Sequence, residues 1–136
     1  MPYIIGVVLA AAVGVFAWVV GLDRDRAFYP TVMIVIAFLY GLFAAIDGST
    51  TTILVECVVG TGFAAAAVAG FKRSLWVVVA ALAAHGIFDS FHGHVIPNRG
   101  VPLWWPEFCL AYDVAAAVFL AVILSMDRRA GSPAQP

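Results

Sequence analysis

The run Leu75-Trp76-Val77-Val78-Val79-Ala80-Ala81-Leu82-Ala83-Ala84-His85-Gly86-Ile87-Phe88-Asp89-Ser90-Phe91-His92 decides how the chain reads. Its first ten residues carry no charge, and its last eight carry three ionisable groups. If the run is one helix, His85, Asp89 and His92 fall at i, i+4 and i+7 and share a stripe. A stripe of this kind at membrane depth is costly, so it requires partners from other helices or a functional purpose.

Composition says that the solvent around this run is lipid. Of 136 residues, 64% are hydrophobic and 11% charged, with a mean hydropathy of +1.03. A water-soluble domain is nearer half apolar and a quarter charged. The formal net charge is −1, and no Lys/Arg-rich run offers a track for phosphates, which argues against a nucleic-acid partner. Cys57 and Cys109 form no CxxC pair and sit in apolar runs, where a cysteine is a small buried hydrophobe. Phosphate-binding glycine loops, nucleophile elbows and dinucleotide fingerprints are absent from the sequence.

Working outward, five apolar segments approach the roughly 20 residues a membrane crossing needs. They cover about 3–22, 30–46, 51–70, 75–92 and 107–126, and predict an all-α bundle of five transmembrane helices in a single domain, 1–127. Met1-Pro2-Tyr3 has no positive charge of the kind that opens a signal peptide, so the first segment reads as a retained span. Gly6, Ala10 and Gly14 on the first span, and Gly62, Ala66 and Gly70 on the third, have the small-residue spacing of close helix contacts. Pro30 suits a first turn, Gly48 a helix end, and Ser49 or Thr50 and Ser74 helix starts. Residues 94–106, rich in Pro and Gly, break the fourth span. Residues 128–136 read as a disordered tail.

Orientation follows from the basic residues. Arg24, Arg26, Lys72, Arg73, Arg128 and Arg129 fall in the first connection, the third connection and the tail, leaving Arg99 alone opposite. The positive-inside rule places the N-terminus outside and the C-terminus in the cytoplasm. Glu56 then lies about 8 Å below the outer face, Asp113 about 9 Å below Glu107, and His85 about 10 Å below the end of its span, at 1.5 Å per residue. Ionisable residues from three helices thus share one outer-leaflet layer.

Three readings of that layer stand side by side. In the first, His85, His92 and carboxylates from Asp89, Asp113 or Glu56 hold a metal, zinc being the natural choice for imidazole and carboxylate ligands. A carboxylate left over from ligation, whether Asp89, Asp113 or Glu56, would act as general base or orient an imidazole. Cys109, one turn from Asp113, is an additional thiolate candidate, whereas His94 is expected to point elsewhere. In the second, the same groups relay protons or ions. In the third, they satisfy one another and hold the helices in register. Tyr40, seven residues before Asp47, could face the same layer, although packing is its ordinary role. Residues 23–26 read as a solvated turn.

Several stretches carry a resemblance: Asp-Arg-Asp-Arg-Ala-Phe-Tyr-Pro-Thr (23–31), Glu56, Lys-Arg-Ser-Leu-Trp (72–76), Ala-His-Gly-Ile-Phe-Asp-Ser-Phe-His (84–92) and Gly-Val-Pro-Leu-Trp-Trp-Pro-Glu-Phe-Cys-Leu-Ala-Tyr-Asp (100–113). Together they resemble a domain-of-unknown-function family of small bacterial integral membrane proteins. The resemblance implies a multi-pass protein of the bacterial inner membrane and implies no activity. A looser likeness is to membrane hydrolases that hold zinc among histidines and aspartates. Those take a third histidine from a separate helix, and here all three histidines lie between 85 and 94. The expectation is therefore a membrane protein with a zinc-binding pocket of a lipid-directed hydrolase, or a non-enzymatic carrier or partner subunit built on the same polar network. Its partners are the lipid bilayer and, as candidates, a second copy or another membrane subunit.

Overall fold

Backbone polar groups placed in hydrocarbon must bond within their own segment, which makes helices the natural outcome for apolar runs of this length. A computed structural model describes residues 1–130, and among them every regular element is helical. In chain order these are α1 (Pro2–Val20), a 3-10 turn (Leu22–Arg24), α2 (Phe28–Asp47), α3 (Thr50–Lys72), α4 (Leu75–Asp89), α5 (His92–Val95) and α6 (Trp105–Ala130). Four of them, α1, α2, α3 and α6, are long and apolar enough to cross a membrane. At 15 residues α4 is shorter than that.

The local chemistry explains the boundaries. Gly21 (φ 85°) and Gly48 (φ 78°) terminate α1 and α2 in the left-handed region that favours glycine. The Ser49 and Ser74 hydroxyls accept from the backbone N–H of Thr52 (3.3 Å) and Trp76 (3.4 Å), capping α3 and α4. α2 starts at Phe28, two residues before Pro30, which still lies in the first turn. α6 runs on to Ala130, so the start of the expected tail continues the helix, and 131–136 lie outside the described residues.

The fourth segment departs most from expectation. The helix stops at Asp89, not His92. Ser90 and Phe91 N–H bond back to the carbonyls of Ile87 and Phe88, three residues behind each, tightening the turn. The Ser90 hydroxyl also donates to Ile87 O at 2.6 Å. His92 then opens the separate turn α5, so the i, i+4, i+7 stripe is broken after its second member.

Packing is set by small residues. α1 buries Gly6, Ala10, Gly14 and Ala17 along α6. A Cβ at Gly6 would sit 2.5 Å from the Phe108 carbonyl oxygen, and one at Gly14 would sit 2.9 Å from the Phe119 ring. On α3 the close contacts fall at Gly70, whose Cβ would lie 2.5 Å from Val78 Cγ2, and at Gly60, whose Cβ would lie 2.8 Å from Ala37 O, whereas nothing lies within 4 Å of one at Gly62. α3 therefore turns Glu56, Gly60, Ala67 and Gly70 inward. α2 pairs with α3, α6 lies against both α1 and α4, and the short α4 also contacts α2 and α3. Met33, Ala67, Val78, Leu82 and Leu120 fill the half of the bundle nearest the 21–27 turn. The other half of the same helices carries the buried polar groups.

A candidate metal centre beside a polar clasp

Among the described residues, the buried polar and charged side chains are Glu56, His85, Asp89, His92 and Asp113, each no more than 2% exposed. Of the other acids, Asp25, Asp47, Glu107 and Asp127 are exposed and Asp23 is half-buried. Each buried group is placed by a helix register described above. His85 and Asp89 follow Val78 and Leu82 on the inward stripe of α4, and Asp113 lies one turn below Cys109 on α6. Gly86 lets α6 approach: a Cβ there would lie 3.0 Å from that of Asp113.

The five residues do not form one pocket. They divide into two groups. In the first, His85 Nδ1 lies 2.7 Å from Asp113 Oδ2 and 3.4 Å from Asp89 Oδ2. One ligand atom from each of His85, Asp89 and Asp113 falls within 4.8 Å of the others, a spacing that could hold a metal ion. In the second, His92 Nε2 lies 2.9 and 3.1 Å from the two oxygens of Glu56. The break at Ser90 is the cause, since it swings His92 off the α4 stripe and towards α3. Tyr40 packs on both imidazoles, stacked on His92 at 4.0 Å and tilted to His85 at 6.3 Å.

The two groups differ in how well they are satisfied. Asn98 Nδ2 donates to Glu56 Oε1 at 2.8 Å and to the Tyr40 carbonyl at 3.1 Å, while Asn98 Oδ1 accepts from Gly100 N–H at 3.2 Å. His92, Glu56 and Asn98 thus clasp the 94–104 loop to α2 and α3. In the His85 group, both Asp89 oxygens and Asp113 Oδ1 are buried without a hydrogen-bond partner, as is the nearby Tyr40 hydroxyl. Buried polar atoms are ordinarily hydrogen-bonded; here Asp89 Oδ2 has only the 3.4 Å approach of His85 Nδ1, and Asp89 Oδ1 and Asp113 Oδ1 have no hydrogen bond, which needs an explanation. Charge sharpens the point. Two carboxylates beside one imidazole leave net negative charge even when the ring is protonated, and no Lys or Arg side chain is buried among the described residues.

The donor set suits a metal. Tetrahedral zinc with ligands about 2.1 Å away sets its ligand atoms about 3.4 Å apart. The His85–Asp89 separation is already 3.4 Å, and the His85–Asp113 bond of 2.7 Å would open slightly. Cys109, 3% exposed, lies one helical turn from Asp113 on α6. His94 is exposed, off both groups.

Asn98 is the residue that sequence reading missed. It is the single asparagine in the chain, and it sits in a segment whose Pro and Gly content signalled only a loop. Comparisons with protein-family models, curated proteins and solved structures give no match.

Proposed function

We propose that this is a bacterial inner-membrane protein whose His85, Asp89 and Asp113 hold a divalent transition metal, zinc first among them. The observation that carries the reading is the Asp89 carboxylate, 1% exposed, which has no hydrogen-bond partner and lies 3.4 Å from His85 Nδ1 beside Asp113. A neutral imidazole and two carboxylates balance the charge of a divalent ion, and the dry surroundings strengthen each bond to it. Such a centre supplies a water activated for attack and a Lewis acid for an ester or phosphoester. At membrane depth the accessible substrates are lipids, which makes lipid-directed hydrolysis the matching chemistry. In this reading Cys109 and Tyr40 line the centre. His92 and Glu56 stand outside it and act as the structural clasp, the satisfaction of that pair by Asn98 favouring this role.

The same reading treats α4 with α5 as a fifth crossing, N-terminus outside. The connections after α1 and α3, which hold Arg24, Arg26, Lys72 and Arg73, then share the cytoplasmic face with the end of α6.

The test is metal analysis of the full chain purified in mild detergent. About one equivalent of zinc is expected, lost in His85→Ala and Asp89→Asn and kept in Glu56→Gln. Wild-type protein with less than about a tenth of an equivalent after zinc supplementation, or equal zinc in all three variants, overturns the reading.

A further inference from the structure

A groove of about 560 Å³ runs between α1, α2 and α6. Its α2 wall comprises Phe28, Thr31, Val32, Val35, Ile36 and Leu39, spanning about 16 Å at 1.5 Å per residue. Leu9 and Leu22 form the α1 side, and Trp105, Phe108, Cys109 and Tyr112 the α6 side. Asp25 and Thr31 are the polar residues of the lining, both at the end nearest the 21–27 turn.

We propose that this groove holds one hydrocarbon chain of a membrane lipid, and that it is the route by which a lipid comes to lie beside the His85–Asp89–Asp113 group. Membrane helices seat other helices on Gly, Ala and Ser faces that let backbones approach. The protein has a face richer in small residues elsewhere, on α3 and α4, where Gly62 and four alanines, beside Val59, Phe63 and Val77, line a groove of about 490 Å³. The α1–α2–α6 groove is walled by Leu, Val, Phe, Trp and Tyr instead, which hold a helix off and enclose a thin flexible chain. Its walls leave it open to the side, where the bilayer itself supplies hydrocarbon. The link to chemistry is Cys109. It lines the groove and sits one helical turn from Asp113 on the same face of α6. The lipid's role as substrate rests on the metal reading above, whereas the chain's place in the groove does not.

The experiment uses the full chain in phospholipid vesicles containing a phospholipid with a photoactivatable acyl chain, labelled sites being mapped by mass spectrometry. Val32 and Leu39 are half-buried, while Val58 and Leu54 face outward at 73% and 63% exposure. A seated chain labels Val32 and Leu39 about tenfold more than Val58 and Leu54, in spite of their lower exposure. Val35→Trp, which fills the groove, removes that preference and leaves zinc content unchanged. Labelling that follows exposure alone, as ordinary surrounding lipid would give, overturns the groove proposal even if zinc is bound. Preferential labelling in protein that binds no zinc upholds the groove and removes only the metal.

Discussion

His85 of α4 and Asp113 of α6 meet at 2.7 Å in the bundle interior, and Asp89 adds a second carboxylate 3.4 Å from the same ring nitrogen. The second carboxylate is what separates this arrangement from an ordinary buried ion pair. One acid would neutralise a protonated imidazole, and two ionised acids leave a charge in hydrocarbon that a proton or a further cation must remove. Asp89→Asn keeps the side-chain volume and removes that charge. Stripped of metal by a chelator, the variant should unfold at a higher temperature than wild type. Wild type alone should gain stability with zinc, about 2.7 kcal/mol at a hundredfold excess over the dissociation constant. Thermal unfolding in detergent, with and without chelator, reads both. A chelated variant less stable than chelated wild type would show that Asp89 is already compensated within the protein.

The clasp should respond in the opposite way. Glu56 accepts from Asn98 and faces His92, so Glu56→Ala leaves the buried His92 without its partner and takes one of two acceptors from the half-buried Asn98. Breaking a buried pair from one side costs about 3–5 kcal/mol. Glu56→Gln retains an oxygen for Asn98 and should cost less. Neither change should move zinc occupancy, and loss of zinc in Glu56→Gln would join the two groups into one site.

Asn98 gives the loop its hold on α2 and α3, and Arg99 beside it is exposed. Asn98→Ala should therefore raise the rate of tryptic cleavage after Arg99 while the helices stay protected. Unchanged cleavage would mean that the Pro-rich backbone, and not the amide, holds the loop.

Much of this architecture was legible in the chain because its causes are local. Apolar length, serine caps at Ser49 and Ser74, and glycine stops such as Gly48 each act within one turn. The layer of buried acids and imidazoles also followed from counting residues along alternating helices. What was not legible depended on contacts between segments distant in sequence. The stripe His85, Asp89, His92 was periodic through a helix that ends at Asp89, because the Ser90 turn and the clasp to Glu56 draw His92 away. The small-residue spacing pointed to Gly62 and Gly70; Gly70 does meet Val78, but the docking of α3 on Ala37 uses Gly60 and leaves Gly62 open. Asn98 carried no periodic signal at all.

That selection makes a contrast that can be measured. Gly6→Ala drives a methyl to 2.5 Å from the Phe108 backbone oxygen, and Gly60→Ala drives one to 2.8 Å from Ala37 O. Backbone cannot move aside as a flexible side chain can, so each should cost about 1–3 kcal/mol as α1 or α3 is pushed from its neighbour. Gly62→Ala meets open space and should be neutral. Unfolding midpoints of the three variants in one detergent decide it, and equal values for Gly60→Ala and Gly62→Ala would contradict the α2–α3 register.

The proposed orientation depends on whether α4 crosses. Its 15 residues span about 22 Å, short of a hydrocarbon core of about 30 Å. α5 and the clasped loop add to its length at one end, and its inward stripe is packed against α6, α3 and α2, so neighbouring protein and not lipid surrounds much of it. If it crosses, the turn between α3 and α4, which holds Arg73, and the 96–104 loop lie on opposite faces. If it does not, they share one. A fluorescent-protein fusion at the C-terminus should be bright, as expected of a cytoplasmic end. In a background lacking Cys57 and Cys109, Arg99→Cys should react with an impermeant maleimide from outside the cell, and Arg73→Cys only after the membrane is opened. Reaction of Arg73→Cys and Arg99→Cys from the same side would place both on one face. The count of crossings would fall to four, and the His85 group could no longer be assigned to the outer leaflet.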